Sequence, residues 1–253
     1  DINSIEKKIT SKTKAIIYVH WAGQPADIDE INDIAKRNSL RVIEDAAQSF
    51  LSKSKDDIFA GTKYEIGCFS LSVTKLIHMV YGGFCVTNSD TLASKLYSIR
   101  NNGVRQGSNS FYLGSAEFPG LNLKPSDLHA NIGLINLRNR SRIISSANKI
   151  SLFYKKKLRN NKIRLLEQDV ASSIPTYNLA IVKRRDRFVR YCKSKKINIH
   201  LNYRGLHESN ILKFSRKNFP NSSFISKNLV RLPSGPGYTE PEIKKIVKIL
   251  NNY

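Results

Sequence analysis

Two short segments of this chain carry residue types that can do chemistry together. Ile43-Glu44-Asp45-Ala46-Ala47-Gln48 closes an apolar run with a carboxylate, and Cys68-Phe69-Ser70-Leu71-Ser72-Val73-Thr74-Lys75 closes another with an amine. A primary amine forms a Schiff base with an aldehyde, and a carboxylate holds a proton on a ring nitrogen. Delivered by the ends of neighbouring strands, such a pair can grip the two ends of pyridoxal phosphate. Each residue also has an ordinary alternative. Asp45 can simply cap the next helix or turn, and most lysines are surface residues. The setting of Lys75 is less ordinary: small and apolar residues lead up to it, and Gly82-Gly83 follow, which let backbone approach a cofactor or another chain closely. Ser70 can donate to a phosphate or satisfy its own backbone.

A sheet has to hold these side chains. Residues 14–20 read as a buried strand, being β-branched with little alternation. After a turn at Gly23-Gln24-Pro25, Asp27 reads as a helix cap with Glu30 three residues later, and Ile28, Ile31, Ile34 and Ala35 line one helical face. Residues 40–44 read as the next strand, so the unit predicts a parallel pair. In open α/β sheets the ligand site lies at the carboxyl ends of the strands, where Asp45 falls. Residues 68–71 and 83–87 are further apolar runs. Asn88-Ser89-Asp90 reads as the cap of a helix with Leu92, Leu96 and Ile99 inside. Residues 103–124, rich in Gly, Ser and Asn, read as a long functional loop. From 126 to 158 the pattern is helical, two helices or one broken one, with Leu134, Leu137, Ile143 and Ile144 as its apolar positions.

The last hundred residues change character. Short strand candidates at 163–166, 178–182, 197–201 and 229–232 alternate with helical patterns. The chain closes on a capping box, Thr239-Glu240-Pro241-Glu242, and a helix with Ile243, Ile246, Val247 and Leu250 inside. The expected organisation is a large α/β domain over 1–140, with a mostly parallel sheet, and a smaller α+β domain over 141–253.

Composition narrows the function classes. With 40% hydrophobic and 25% charged residues the chain reads as folded rather than disordered. No run is long and apolar enough to cross a bilayer, and the first residues lack the pattern of a signal peptide. The three cysteines, Cys68, Cys85 and Cys192, show neither metal-ligand spacing nor an even-numbered disulfide framework, which fits a reducing cytoplasm. The formal net charge of +22 attracts anions. The basic residues are scattered, with clusters at Lys155-Lys156-Lys157, Lys183-Arg184-Arg185 and 193–196. They read as solvated surface that can also steer an anionic substrate, and no nucleic-acid motif accompanies them.

Taken in order, these segments resemble a known family. Ile43-Glu44-Asp45-Ala46-Ala47-Gln48, Gly67-Cys68-Phe69-Ser70, Thr74-Lys75, Gly82-Gly83 and Val86-Thr87-Asn88 resemble the DegT/DnrJ/EryC1/StrS aminotransferases, sugar aminotransferases of fold type I that depend on pyridoxal phosphate. The likeness continues upstream in Val19-His20-Trp21-Ala22-Gly23-Gln24-Pro25-Ala26-Asp27. Downstream it takes in Arg100-Asn101-Asn102-Gly103, Pro119-Gly120-Leu121-Asn122-Leu123-Lys124-Pro125-Ser126-Asp127, Leu232-Pro233 and Pro236-Gly237.

The resemblance implies roles residue by residue. Lys75 is implied as the lysine that carries the cofactor, and Asp45 as the carboxylate at the pyridine nitrogen. Gln48 is implied beside the ring substituents, Ser70 at the phosphate, and Asn122 at the phosphate of the neighbouring subunit in a homodimer. Lys124 falls where the family often has Arg and can meet an anionic substrate, without the planar fork. Tyr81 can close over the ring or simply pack, and His20 can approach the site or sit satisfied at a strand end. The implied reaction moves an amino group from an amino acid, usually glutamate, to a keto-sugar on a nucleoside diphosphate, toward a surface polysaccharide or glycan. A lysine at position 75 argues against the dehydratase branch, where His replaces it. Phe50 stands where the family commonly has His. Family members normally begin with a further stretch that binds the cofactor phosphate, so the chain is expected to correspond to the C-terminal two-thirds of such an enzyme. The alternative expectation is a catalytically incomplete or non-catalytic member.

Overall fold

The apolar runs flanking the first long helix become strands β1 (Ala15–Val19) and β2 (Arg41–Asp45), which lie parallel with Ala15 against Arg41 and Val19 against Asp45. The computed structural model describes residues 2–26, 28–105, 107, 116–201, 204–211 and 219–253. It divides into two units, Asp1–Ser141 with Ala171–Ile174, and Arg142–Val170 with Pro175–Tyr253.

In the first unit, a short helix α1 (Ile2–Ile5) leads into β1, and helix α2 (Asp29–Arg37) makes the crossover to β2. Helix α2 buries Ile31, Ile34 and Ala35. Ile31 and Ala35 pack with Ile28, Tyr18 and Val42, the apolar face that the 3.6-residue period requires. Asp29 and Glu30 lie in its first turn and Lys36 and Arg37 in its last, each favourable to the helix dipole. The expected cap, Asp27, lies outside the described residues. Strand β3 (Ile66–Ser70) joins parallel to β2, and β4 (Gly83–Val86) runs antiparallel to β3. The order β1-β2-β3-β4 makes the mostly parallel α/β sheet expected from the sequence.

Helix α3 (Asp90–Arg100) starts at Ser89, whose Oγ accepts from the Leu92 N–H at 3.3 Å. Its expected inner face is corrected: Leu92 and Leu96 are half-buried, but Ile99 is 42% exposed. The helix instead seats the small Ser98 inward, which turns Ile99 away. The helical stretch that follows is two helices, α4 (Asp127–Arg138) and α5 (Arg140–Lys157), parted at Asn139. Leu134 and Leu137 are not core residues, since α4 has no buried residue, whereas α5 buries Ile143, Ala147, Ile150 and Tyr154. The expected loop over 103–124 lies partly outside the described residues. Its described ends are held by bridges of Val104 to Ala116 and of Asn101 to Asn122.

The second unit is an antiparallel sheet with helices. Strands β5 (Arg164–Leu165), β6 (Asn178–Ile181), β7 (His200–Leu201) and β8 (Leu229–Leu232) take the order β5-β6-β8-β7. Its core gathers Tyr154 of α5, Phe188 and Cys192 of α6 (Arg185–Ser194), and Ile243, Val247 and Leu250 of α8 (Glu240–Asn251). Helix α7 (Pro220–Asn228) leads directly into β8. The Tyr154 hydroxyl donates to the Pro233 carbonyl at 2.8 Å, so the buried ring leaves no polar atom orphaned. Thr239 and Glu242 form the capping box at the start of α8. Among the described residues, no helix is long and apolar enough to cross a membrane, and no cluster of His, Cys, Asp and Glu could hold a metal ion.

Candidate active site

Parallel β2 and β3 present their carboxyl ends on the same side of the sheet, the edge where α/β folds bind ligands. Asp45 is the last residue of β2 and lies opposite Cys68 of β3. Ser70, the last residue of β3, shares the face of Cys68 by the two-residue period. The opposite face is core: Val42, Glu44, Ala46, Gly67 and Phe69 are all buried. The one-residue alternation therefore aims Asp45, Cys68 and Ser70 together, away from that core.

The reason the strand ends stay aligned is Glu44, which is fully buried. Its Oε1 accepts from the backbone N–H groups of Lys63 at 2.7 Å and Tyr64 at 2.8 Å. Its Oε2 accepts from the Gly61 N–H at 2.8 Å and lies 3.0 Å from His20 Nε2. Burial pushes the Glu44 carboxyl up, but the bonds from His20, Tyr64, Gly61 and Lys63 outweigh it and hold it below the usual carboxylate range. The Ala26 N–H donates to His20 Nδ1 at 3.0 Å, which places the ring proton on Nε2, toward Glu44. The Tyr18 ring meets His20 edge-on at 5.0 Å, and burial, then the charge of Glu44, raises its hydroxyl pKa far above the ordinary value. The His20 N–H donates to the Asp45 carbonyl at 3.0 Å, and Ser49 Oγ donates to the His20 carbonyl at 2.8 Å. One buried carboxylate thus ties the end of β1 and the 61–64 turn to the residue next to Asp45.

The turn itself requires glycine. Gly61 has φ +82°, and a Cβ there would lie 2.5 Å from Phe69 Cζ and 2.9 Å from Ala46 Cβ. Below it, Phe69 stacks on Phe84 at 4.5 Å, and Phe50 meets both rings edge-on at 5.6 and 5.4 Å. Phe50, one of the residues that depart from the family pattern, is therefore part of an apolar support under the strand ends.

Lys75 sits in the 71–82 loop between β3 and β4, half-buried, with its N–H donating to the Ser72 carbonyl at 2.9 Å. The loop folds back on itself through Leu71 N–H to Gly82 O at 2.9 Å and Val73 N–H to Val80 O at 2.8 Å. Buried Ile77 and Met79 anchor it. Asn136 of α4 donates to the His78 carbonyl at 2.9 Å, and Gly133 lets α4 come close to Met79.

The other expected residues fall into two groups. Gln48 follows Asp45 closely, and its Oε1 accepts from the Ala22 N–H at 2.9 Å. Asp45 Oδ1 accepts from the Ala47 N–H at 3.0 Å, and Ser70 Oγ accepts from the Ser72 N–H at 3.3 Å. These three lie with Lys75 in the segments at the ends of β2 and β3. Asn122 and Lys124 belong to a different segment, beside the end of α3. Asn122 is exposed, and Lys124 Nζ donates to Asn101 Oδ1 at 2.8 Å. Tyr81 is 73% exposed, its ring 6.3 Å from that of His129. His20 is 1% exposed with both ring nitrogens engaged, so the structure shows the satisfied strand-end histidine rather than an approach to ligand. The sequence reading passed over Glu44 as a side chain, although its place between Val42 and Ala46 on the buried face of a strand was the available signal. A cavity of about 240 Å³ beside it, lined by His20, Glu44, Asp29, Phe59 and Lys63, falls below the ~300 Å³ of small ligand sites. It does not include Asp45, Ser70 or Lys75.

A carboxylate at the end of β2 and an amine in the loop that follows β3 are the residue types that pyridoxal phosphate chemistry calls for. The chain belongs to the DegT/DnrJ/EryC1/StrS aminotransferase family, whose model matches residues 1–251. It is 27% identical to the GDP-perosamine synthase of Escherichia coli O157:H7, the match covering 100% of this chain and 69% of that protein. The fold matches AtS13 from Actinomadura melliaura with a TM-score of 0.90 at 25% identity, over 100% of this chain and 70% of that one. It also matches the E. coli GDP-4-keto-6-deoxy-D-mannose-3-dehydratase with bound hydrated pyridoxal phosphate, with a TM-score of 0.84 at 24% identity, over 99% and 70% of the two chains. The family is pyridoxal phosphate-dependent. The donor set on this sheet edge fits that cofactor: a carboxylate for a ring nitrogen, an amine for an aldehyde, and a hydroxyl for a phosphate.

Proposed function

We propose that this protein transfers an amino group to a keto-sugar linked to a nucleoside diphosphate, with glutamate as donor, on a route to an amino sugar of a surface polysaccharide or glycan. What supports the reading is Asp45 at the end of β2 and Lys75 in the loop after the adjacent parallel β3, in a chain related to a GDP-perosamine synthase. When bound, pyridoxal phosphate supplies an aldehyde that exchanges amines and a ring that draws electrons from the neighbouring carbon. Asp45 keeps a proton on the ring nitrogen, which is what makes the ring electron-withdrawing. Lys75 would hold the aldehyde through its amine, and its Nζ would serve as the base that moves a proton at the donor's α-carbon. The net change would turn an amino acid and a ketone into a 2-oxo acid and an amino sugar.

The remaining residues bind. Ser70 Oγ meets the phosphate and Gln48 flanks the ring. Asn122, exposed in this chain, reaches the cofactor phosphate of the partner in a homodimer. Lys124 and Tyr81 face the nucleotide-sugar, for which a net charge of +22 is a favourable field, and His20 acts from behind through Glu44. The predicted setting is the cytoplasm, consistent with three free cysteines. A dehydratase reading has a structural relative but no histidine at position 75.

Titration of the purified protein with pyridoxal phosphate tests the reading. The expected result is a Schiff-base absorbance that borohydride fixes on Lys75 and that Lys75→Ala abolishes. An equal absorbance in the variant would remove Lys75 from its role. A half-reaction with glutamate and then GDP-linked keto-sugars tests the substrate class. A non-catalytic member of the family predicts cofactor binding without amine transfer to any of them.

A further inference from the structure

We propose that Cys68 and Cys85 form a reversible disulfide across β3 and β4, made by exchange with a small disulfide of the oxidised glutathione type. The two residues are far apart in sequence, yet the register sets them directly opposite one another. The hydrogen bonds Leu71 N–H to Gly82 O and Val73 N–H to Val80 O continue that same register. They mark the odd-numbered positions as hydrogen-bonded pairs. Alternation along an antiparallel ladder then makes Cys68–Cys85 a non-hydrogen-bonded pair, the kind with side chains closest and Cα atoms ~4.5 Å apart. That separation lies within the ~4.4–6.8 Å that a disulfide spans. The two Sγ atoms are 3.9 Å apart, and both thiols are free.

The two cysteines also differ in the way exchange requires. Cys85 is exposed and can meet a reagent, whereas Cys68 is half-buried. Burial, then the neighbouring Cys85, pushes the Cys68 thiol up to about 11. The order of events is therefore attack by the Cys85 thiolate on the reagent's S–S bond, expelling one glutathione thiolate. Cys68 then gives its proton to the expelled thiolate and attacks Cys85 Sγ, releasing the second glutathione. Two protein thiols are oxidised and one glutathione disulfide is reduced to two thiols. Cys192 is the internal control, fully buried with its thiol pushed up to about 12 by burial. The site matters because Cys68 lies beside Asp45 and two residues before Ser70 on the same sheet face. The bond would fasten β4 to the strand that leads to the Lys75 loop.

The test is incubation of the full chain with oxidised glutathione, alkylation of the remaining thiols, and peptide mapping by mass spectrometry. Trypsin cuts after Lys75, between the two cysteines, so a cross-link joins two separate peptides. The expected result is reversible loss of two of the three thiols, a Cys68–Cys85 cross-link that dithiothreitol reverses, and alkylation only at Cys192. Cys68→Ser should hold glutathione on Cys85 as a lasting mixed disulfide. Three alkylated cysteines, or glutathione retained on Cys85 of the unmodified sequence with Cys68 free, would overturn the proposal. The map of that sequence decides even where a variant fails to fold.

Discussion

At the scale of single residues, the site depends on Glu44 as much as on the groups proposed to touch cofactor. Glu44→Gln would turn amide N–H groups toward the Gly61 and His20 donors, leaving buried donors facing donors. Breaking a buried, hydrogen-bonded charge typically costs ~3–5 kcal/mol, and urea unfolding should show a loss of that order against the parent. An effect under ~1 kcal/mol would mean that the carboxylate is dispensable. The pH dependence has a definite sign. The native pKa of Glu44 is depressed, so its stabilisation is complete above the ordinary glutamate range of about 4.3 and is lost as pH falls below it through the native value. The stability gap between parent and Glu44→Gln should therefore narrow from neutral to acid pH. Phe50 shows how a departure from a family pattern becomes intelligible, since it completes an aromatic cluster with Phe69 and Phe84.

At the scale of elements, the turn before β3 is the most exacting piece. Gly61→Ala meets both a left-handed backbone and the Phe69 ring, and should cost well over ~1 kcal/mol in thermal or urea unfolding. Ser89→Ala removes only the cap of α3 and should cost ~1 kcal/mol. The contrast separates a forced conformation from a lost hydrogen bond. The elements that the sequence announced were those with strong periodicity. The β1–α2–β2 unit showed as two β-branched runs around a 3.6-residue stripe, and α8 showed by its capping box. Strands β5 and β7 are shorter than their apolar runs, each pairing over two residues, with one further bond from the Leu166 N–H to the Leu179 carbonyl at 2.9 Å. The apolar positions of α4 matched a helix period, but period states which residues share a face, not whether anything covers it. Asp45, Ser70 and Lys75 were legible because chemistry and motif order coincide there. Glu44 and the opposed cysteines were not, since each depends on pairing between segments that no local pattern encodes.

At the scale of the whole molecule, 42 Lys and Arg against 20 Asp and Glu make a field that no single site explains. If it steers a nucleotide-linked substrate, the association rate should fall as salt shortens the screening length, from ~10 Å at 0.1 M toward ~3 Å at 1 M. Stopped-flow binding at several ionic strengths measures this, and a salt-independent rate would assign the charge to solubility alone. The described residues form one unit around a mostly parallel sheet and another around an antiparallel one, so local and long-range pairings are distributed unevenly along the chain.

That unevenness has a kinetic consequence at Glu44. Its bonds reach His20, Gly61, Lys63 and Tyr64, each between 17 and 24 residues away. The bond to His20 needs β1 against β2, and the other three need the turn before β3, so the full set closes only once both have formed. Interactions made after the transition state slow unfolding without hastening folding. Glu44→Gln should accordingly steepen escape from the native state while leaving the refolding rate nearly unchanged, which makes this carboxylate a latch on the lifetime of the fold.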